Sequence, residues 1–382
     1  MPDTRSNRVP VLDFARFLAA IAVVAYHYGF QGGVAAEFMD TYVPSLGAVT
    51  QYGYLGVDVF FVISGFVIAW SAEGQRAARF AWSRWLRVYP TFVFCVLLTS
   101  ACVTLVGDPR LAVTLRQVLI NLLIDARHFG QPFVDGVYWT IVYEVQFYAM
   151  VAVGLAIPWA RRHATACLAL WLLLSMLNAF VLRKSAFAHL LVSNFSGLFI
   201  AGMMLYRFHR GRLSPVNIAL FIAALAFALA MELQMADGRF VPLRTAWSPW
   251  VVCTILLVPI ALLSLTLRRR FTPETERALQ RIGALTYPLY LLHATMGYVL
   301  IDRLAPSIGA AAAIALTVLT MLLLAAWVAA WIEPRLKAFI VACVRPPSKG
   351  PHNLDASEHE STYHNADSRP AILPALDEPL RS

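Results

Sequence analysis

The chain has 382 residues, of which 59% are hydrophobic and only 14% charged, with a mean hydropathy of +0.64. A soluble domain is roughly 45–50% apolar and about 25% charged, so these values exclude an ordinary soluble globule and define an integral membrane protein. The net charge of +9 does not point to nucleic acid, because the basic residues fall in short stretches between apolar runs, the pattern that orients helices in a bilayer.

A helix needs about 20 apolar residues to cross the hydrocarbon. Ten stretches meet that need, at 9–28, 53–70, 89–106, 137–158, 164–182, 190–206, 216–235, 248–267, 284–302 and 309–332. The expected fold class is therefore all-α, a polytopic bundle of about ten transmembrane helices. Residues 1–8 form a short cytoplasmic start. They do not read as a signal peptide, because Arg16 interrupts the apolar run behind them. The stretch 115–124, LRQVLINLLI, is too short to cross and reads as an amphipathic helix on the membrane surface. With the amino terminus inside, the inner segments hold 20 of the 31 Lys and Arg and the outer loops 8, which places both termini in the cytoplasm. A membrane domain at 9–335 is followed by 346–382, rich in Pro, Ser, His and acidic residues, which reads as a disordered cytoplasmic tail. Its histidines (His352, His359, His364) lack metal-ligand spacing, and the five cysteines show no paired spacing, so no metal is expected.

Polar groups inside predicted spans are costly: a central arginine or aspartate costs roughly 2.5–3.5 kcal/mol on insertion scales. In RFLAAIAVVAYH, Arg16 and His27 are eleven residues apart. That is about 1100° of helical rotation, so both side chains leave one face, roughly 16 Å apart along the axis. Asp13, one turn before Arg16, is placed to pair with it. Such a face suits a polar cavity; a snorkelling arginine and a structural histidine are the plainer alternative. Asp58 in GYLGVDVFFVISGF needs a basic or hydrogen-bonding partner, and Ser64 and Gly65 permit close helix approach.

In RAARFAWSRWLRVYP, Arg84 and Arg87 share a helical face at the inner surface, where two guanidiniums suit a phosphate ligand. Ordinary inner-face charge competes with that reading and accounts for Arg76 and Arg79. In VYWTIVYEVQFYAM, Glu144 follows the interfacial anchor Trp139 by a turn and a half and shares a face with Phe147 and Tyr148. It either orients a histidine and accepts its proton, or makes a structural hydrogen bond. Tyr287, Tyr290 and His293 in ALTYPLYLLHATMGY fall at i, i+3 and i+6, an edge read as structural, with Pro288 bending or starting the helix. His128 reads as a solvent-exposed loop residue, and the sequon Asn194-Phe195-Ser196 is set aside because it falls within a predicted helix. No nucleophile elbow, phosphate loop or zinc helix is present.

Five of these pieces, in order, resemble the acyltransferase 3 family. LDFARFLAAIAVVAYH resembles its first helix, with an Arg, ten residues and a His. GYLGVDVFFVISGFVI resembles its second-helix block, and FAWSRWLRVYP its R-x-x-R segment. VYWTIVYEVQFY is similar to the W-S-L-x-x-E-x-x-F-Y block with Thr140 in place of serine, and LTYPLYLLH to the S-Y-x-x-Y-L-x-H block with Thr286 in place of serine. The resemblance covers about residues 9–335. It implies a ten-helix O-acyltransferase of the bacterial inner membrane that uses acetyl-CoA or another acyl-CoA and acylates surface glycans or lipid-linked saccharides in polysaccharide biosynthesis. It gives His27 and Arg16 the essential first-helix roles, and Arg84 and Arg87 the donor-side roles.

On that reading His27 is the base for the attacking hydroxyl or itself carries the acyl group. Arg16 binds the donor deeper or stabilises developing negative charge. Glu144 stands as a third catalytic candidate, with Asp13, Asp58, Ser64, Trp139, Tyr287 and His293 as supporting polar groups. The alternatives are an acyltransferase of a small molecule such as an antibiotic, a transporter that uses the same intramembrane groups, and an inactive scaffold.

Overall fold

The computed structural model describes residues 9–35, 38–269 and 271–344, and within them every regular element is helical. The predicted start at 1–8 and the predicted tail at 346–382 lie outside the described residues. In chain order, α1 (Pro10–Tyr26) runs into a π-helical stretch (His27–Ala35). There follow α2 (Pro44–Thr50), α3 (Gly56–Ala72), α4 (Ala77–Val106), α5 (Leu115–Asn121), α6 (Trp139–Ala156), α7 (Pro158–Arg162) and α8 (Ala164–Leu177). The chain continues through α9 (Ser185–Leu190), α10 (Ser196–His209), α11 (Pro215–Phe240), α12 (Pro249–Thr266), α13 (Pro273–Ile308), α14 (Ala310–Trp327) and α15 (Glu333–Val344). Among the described residues, nine helical stretches are long and apolar enough to cross a membrane. The protein is an all-α, multi-pass membrane protein.

The span predicted at 190–206 is α10, only 14 residues long. It is a short, almost wholly buried helix packed against α3 and α11. Its neighbours supply the apolar surroundings that a longer helix finds in lipid. Asn194 lies in the turn before it, not in a helix as expected, with Phe195 and Ser196 buried. The spans at 89–106 and 284–302 are the apolar parts of much longer helices, α4 of 30 residues and α13 of 36. Their polar first turns fall outside an apolar window yet stay helical. Thr272 caps α13 by accepting from the Thr275 N–H at 3.3 Å, and Glu274 and Glu276 in the first turn suit the helix dipole. Pro288 therefore lies inside α13 and does not start it. Arg239, one of the eight basic residues counted in the outer loops, lies in the last turn of α11.

The short helix at 115–124 is α5, closed by a capping box between Thr114 and Gln117. Its leucines Leu115, Leu119 and Leu123 face outward, while Gln117 and Asn121 are buried. Asn121 donates to the Pro132 carbonyl at 3.0 Å and accepts from the Val134 N–H at 2.9 Å.

Small residues set the packing around the future site. A methyl group on Gly65 would collide with the Phe199 carbonyl, and one on Gly202 with the Val62 carbonyl, so α3 and α10 touch backbone to backbone. Helices α1 and α13 run parallel. Asp13 lies against Gly283 and Tyr28 against Gly297, and the Tyr28 hydroxyl donates to the His293 carbonyl at 2.7 Å. Helix α3 runs antiparallel to α13, with Phe60 and Tyr290 in edge contact at 5.6 Å. On α4, Trp82, Trp85 and Tyr89 form an outward ladder with ring centroids 5.1 Å apart at each step; both tryptophans are exposed, as suits a membrane interface.

Candidate active site

One cavity of about 990 Å³ enters the bundle between α1, α3, α4, α6 and α13. Its base is formed where α1, α4 and α13 begin and α3 ends, by Val9, Glu73, Arg79, Gln280 and Lys337. Its roof is formed where α3 and α6 begin, by Val57, Phe60, Thr140 and Ile141, together with Tyr290. Arg16, Arg84, Arg87, Glu144, Asp13, Ser64 and Tyr287 all line it. The sequence thus placed seven of its candidates on the wall of one chamber.

The charges of this wall divide into two groups. Arg210 and Arg212 pair with Glu73 at 3.5 and 2.9 Å, and Lys337 pairs with Glu333. Glu73, at the base mouth, is held below the usual carboxylate range by the Tyr206 hydroxyl and then by Arg210 and Arg212. In contrast, Arg16, Arg79, Arg84 and Arg87 have no carboxylate within ion-pair distance among the described residues. Arg84 is half-buried and Arg87 exposed. These four guanidiniums share the chamber with Asp13 and Glu144, whose charges act on Arg16, Glu144 on Arg84 as well; lacking close ion pairs, they leave an excess of positive charge that suits an anion. Arg79, which inner-face charge seemed sufficient to explain, belongs to this group; its place on the long helical first part of α4 is visible only once the helix is known to start at Ala77.

Glu144 accepts a hydrogen bond from Tyr148, one turn further on, and its charge acts on Arg16 and Arg84. Its partners are therefore in the basic chamber; His27 is not among them. The Tyr287 hydroxyl donates to the Val88 carbonyl at 2.9 Å, tying α13 to α4. Trp139 packs inward on Tyr143 and Phe195 at 5.8 and 5.6 Å, so it is more than an interfacial anchor.

His27 departs from the expectation of one shared cavity face. Arg16 lines the chamber and His27 does not. The reason is distance along the axis: α1 is α-helical as far as His27, so the histidine stands roughly 16 Å beyond Arg16, past the roof at Phe60 and Tyr290. It lies half-buried, with Nδ1 2.5 Å from the Tyr298 hydroxyl. Its ring meets His293 edge-on at 4.9 Å, and His293 in turn lies 5.7 Å from Tyr290. A file of rings, Tyr290–His293–His27, thus connects roof to histidine. Nδ1 of the fully buried His293 faces the Tyr290 and Leu289 carbonyls at 2.9 and 3.2 Å and must carry the proton. Tyr298 carried no signal in the sequence. Above it, Phe38 stacks at 5.7 Å, on a segment held to α13 by Asp302, which accepts from the Asp40 and Thr41 N–H groups.

Asp58, 1% exposed in the first turn of α3, meets another acid, Glu232 of α11, 3% exposed. The Arg239 charge reaches both. Arg239 also donates to the Tyr26 hydroxyl at 3.0 Å and stacks 4.1 Å over the Tyr54 ring. Neither Asp58 carboxylate oxygen has a hydrogen-bond partner and Asp58 makes no ion pair among the described residues, so the basic or hydrogen-bonding partner expected for it is not in contact. His128 is exposed, all five cysteines are free thiols, and no three His, Cys, Asp or Glu side chains among the described residues converge as a metal site.

The described residues thus form a multi-pass helical bundle with a basic chamber on one side and a histidine beyond its roof. The sequence model of acyltransferase 3, described as an acyltransferase domain, matches residues 9–331, and the chain belongs to that family and is an acyltransferase. It is 33% identical over 108 residues to the acyltransferase MdmB of Streptomyces mycarofaciens, covering 28% of this chain and 27% of that one. It is 24% identical over 315 residues to the putative membrane-bound transacylase BcsY of Komagataeibacter xylinus, covering 75% and 72%. To the exopolysaccharide production protein ExoZ of Rhizobium meliloti it is 32% identical over 192 residues, covering 46% and 59%. The matches thus span about a quarter of the first relative, nearly three quarters of the second and under two thirds of the third. No solved structure matches the chain.

Proposed function

We propose that the protein is an O-acyltransferase of the bacterial inner membrane, taking an acyl group, acetyl in the first instance, from acyl-CoA and passing it to a hydroxyl of a glycan or lipid-linked saccharide. The base of the bundle faces the cytoplasm in this reading, in keeping with the excess of Lys and Arg in the inner segments. The observation that carries it is the set of four guanidiniums without a close ion pair, Arg16, Arg79, Arg84 and Arg87, around one chamber where they outnumber the nearby carboxylates Asp13 and Glu144: coenzyme A brings several phosphate charges and a long neutral arm, and the chamber is basic toward its mouth and uncharged at its roof. A relative named for exopolysaccharide production supports a saccharide acceptor.

His27 is the base in this scheme. Tyr290 and His293 stand between it and the chamber, so in this scheme Tyr290 swings aside to let the acyl group reach an acceptor arriving from the far end. His27 takes the acceptor proton, the oxygen attacks the thioester carbonyl, and the departing thiolate recovers the proton. Arg84 and Arg87 hold phosphates, Arg16 holds the donor further in, and Glu144 with Tyr148 fixes the guanidiniums. Inside-out membrane vesicles given acetyl-CoA labelled in the acetyl group should transfer label to the endogenous acceptor, and His27→Ala vesicles with equal protein should not. Absence of labelling above protein-free vesicles overturns the reading, and full labelling with His27→Ala removes the base assignment.

A further inference from the structure

Helical serines and threonines usually spend their hydroxyl proton on a carbonyl three or four residues back. Ser71, Ser83, Ser100, Thr104, Thr254 and Thr320 do so here, at 2.7–3.2 Å. Ser64 and Thr286 do not. Each is buried, 3% and 6% exposed, and neither oxygen has a partner. Other buried hydroxyls are unpartnered too, among them Thr99, Ser175 and Thr317, but of this set Ser64 and Thr286 are the two on the chamber wall.

Their depth follows from the helix register. The Phe60–Tyr290 contact marks the roof. Four residues along α3 in one direction and four back along α13 in the other come Ser64 and Thr286, so both stand one turn, roughly 6 Å, below the roof on facing helices. Side chains on a helix lean toward its amino terminus, which carries the Arg16 guanidinium down to the level where Arg87, Glu144 and Tyr148 act on it. The hydroxyls therefore lie above the guanidiniums, at the depth of Glu144, which is one turn below Thr140 on α6 and is bonded by Tyr148. The roof itself is closed by Tyr290, whose oxygen is 2.9 Å from that of Thr140.

We propose that Ser64 and Thr286 form a hydroxyl-bearing middle zone of the donor site that hydrogen-bonds the amide groups of a pantetheine arm, between the guanidiniums of the mouth and the thioester under Tyr290. The proposal rests on the acyl-CoA reading above. Amides suit this zone because they carry both donor and acceptor and no charge, as do the hydroxyls.

The test compares two probes on the purified full chain in detergent: coenzyme A, which has the arm, and adenosine 3′,5′-bisphosphate, which has only part of the head. Ser64→Ala and Thr286→Val should each weaken coenzyme A binding about two- to tenfold, the value of one neutral hydrogen bond, and leave the bisphosphate unchanged. Thr286→Ser should recover most of the loss, and Thr317→Val, off the chamber, should bind both probes normally. Equal weakening of both probes, or unchanged coenzyme A affinity in both variants, overturns the proposal. Failure of the unaltered protein to bind either probe instead overturns the acyl-CoA reading, and the arm zone with it. A carrier protein bearing phosphopantetheine offers the same arm. If it binds in place of coenzyme A with the same dependence on Thr286, the arm zone stands and the source of the donor changes.

Discussion

Replacing Arg84 by glutamine tests the chamber most directly. The guanidinium makes no ion pair with a carboxylate among the described residues, so its removal strands no buried anion and relieves repulsion from Arg87, which acts on it. The fold should tolerate the change to within about 0.5 kcal/mol. A phosphate about 4 Å away gains about 1 kcal/mol from a guanidinium in water and about 4 kcal/mol at the effective dielectric of a protein surface. Half-buried Arg84 falls between, at about 2 kcal/mol, or about 30-fold in Kd. Arg87 is exposed and sits nearer the aqueous limit, at about fivefold. Calorimetric titration of coenzyme A into the detergent-purified full chain reads both values. Repetition at higher salt should shrink them, Arg87→Gln more than Arg84→Gln, because screening acts within about 10 Å at 0.1 M. Coenzyme A affinities within twofold of the unaltered protein in both variants would refute the reasoning and return these arginines to ordinary inner-face charge.

Two further outcomes concern the fold. Gly202→Ala should lower the thermal midpoint, because its methyl meets the Val62 carbonyl, whereas Gly154→Ala, with nothing within 4 Å, should hold or raise it; equal midpoints in a thermal-shift assay would contradict the close α3–α10 packing. Glu73 is held below its ordinary range by the Tyr206 hydroxyl, Arg210 and Arg212, so its stabilisation is complete above its ordinary value of 4.5 and is lost as pH falls through the lowered one. The midpoint difference between the unaltered protein and Glu73→Gln should accordingly close as the pH falls below that ordinary value, and a difference that grows on acidification would reverse the assignment.

Much of the site was legible before the fold. The cost of a charge in hydrocarbon singled out Arg16, Asp58 and Glu144, and the three-residue spacing singled out Arg84 with Arg87. What stayed hidden depended on two things a one-dimensional pattern lacks. One is helix extent beyond the apolar window, which concealed the first turns of α4 and α13 and with them Arg79. The other is where the cavity ends: rotation at about 100° per residue gives Arg16 and His27 one helix face but says nothing of the Phe60–Tyr290 roof between them, and the histidine stands with Tyr298 and His293 beyond it. The Asp58–Glu232–Arg239 cluster joins helices far apart in sequence, and no local rule pairs them.

The Trp82–Trp85–Tyr89 ladder and the arginines Arg84 and Arg87 ride on a single unbroken helix. Indole rings settle at headgroup level, so this helix acts as a depth gauge: the distance between the bilayer surface and the proposed phosphate-binding groups is set by a rigid rod with a rise of about 1.5 Å per residue. A bilayer of different thickness cannot change that spacing. It must tilt the rod or deform around it, at fractions of a kcal/mol per Å, and lipid composition thereby acts on the mouth of the chamber without touching it.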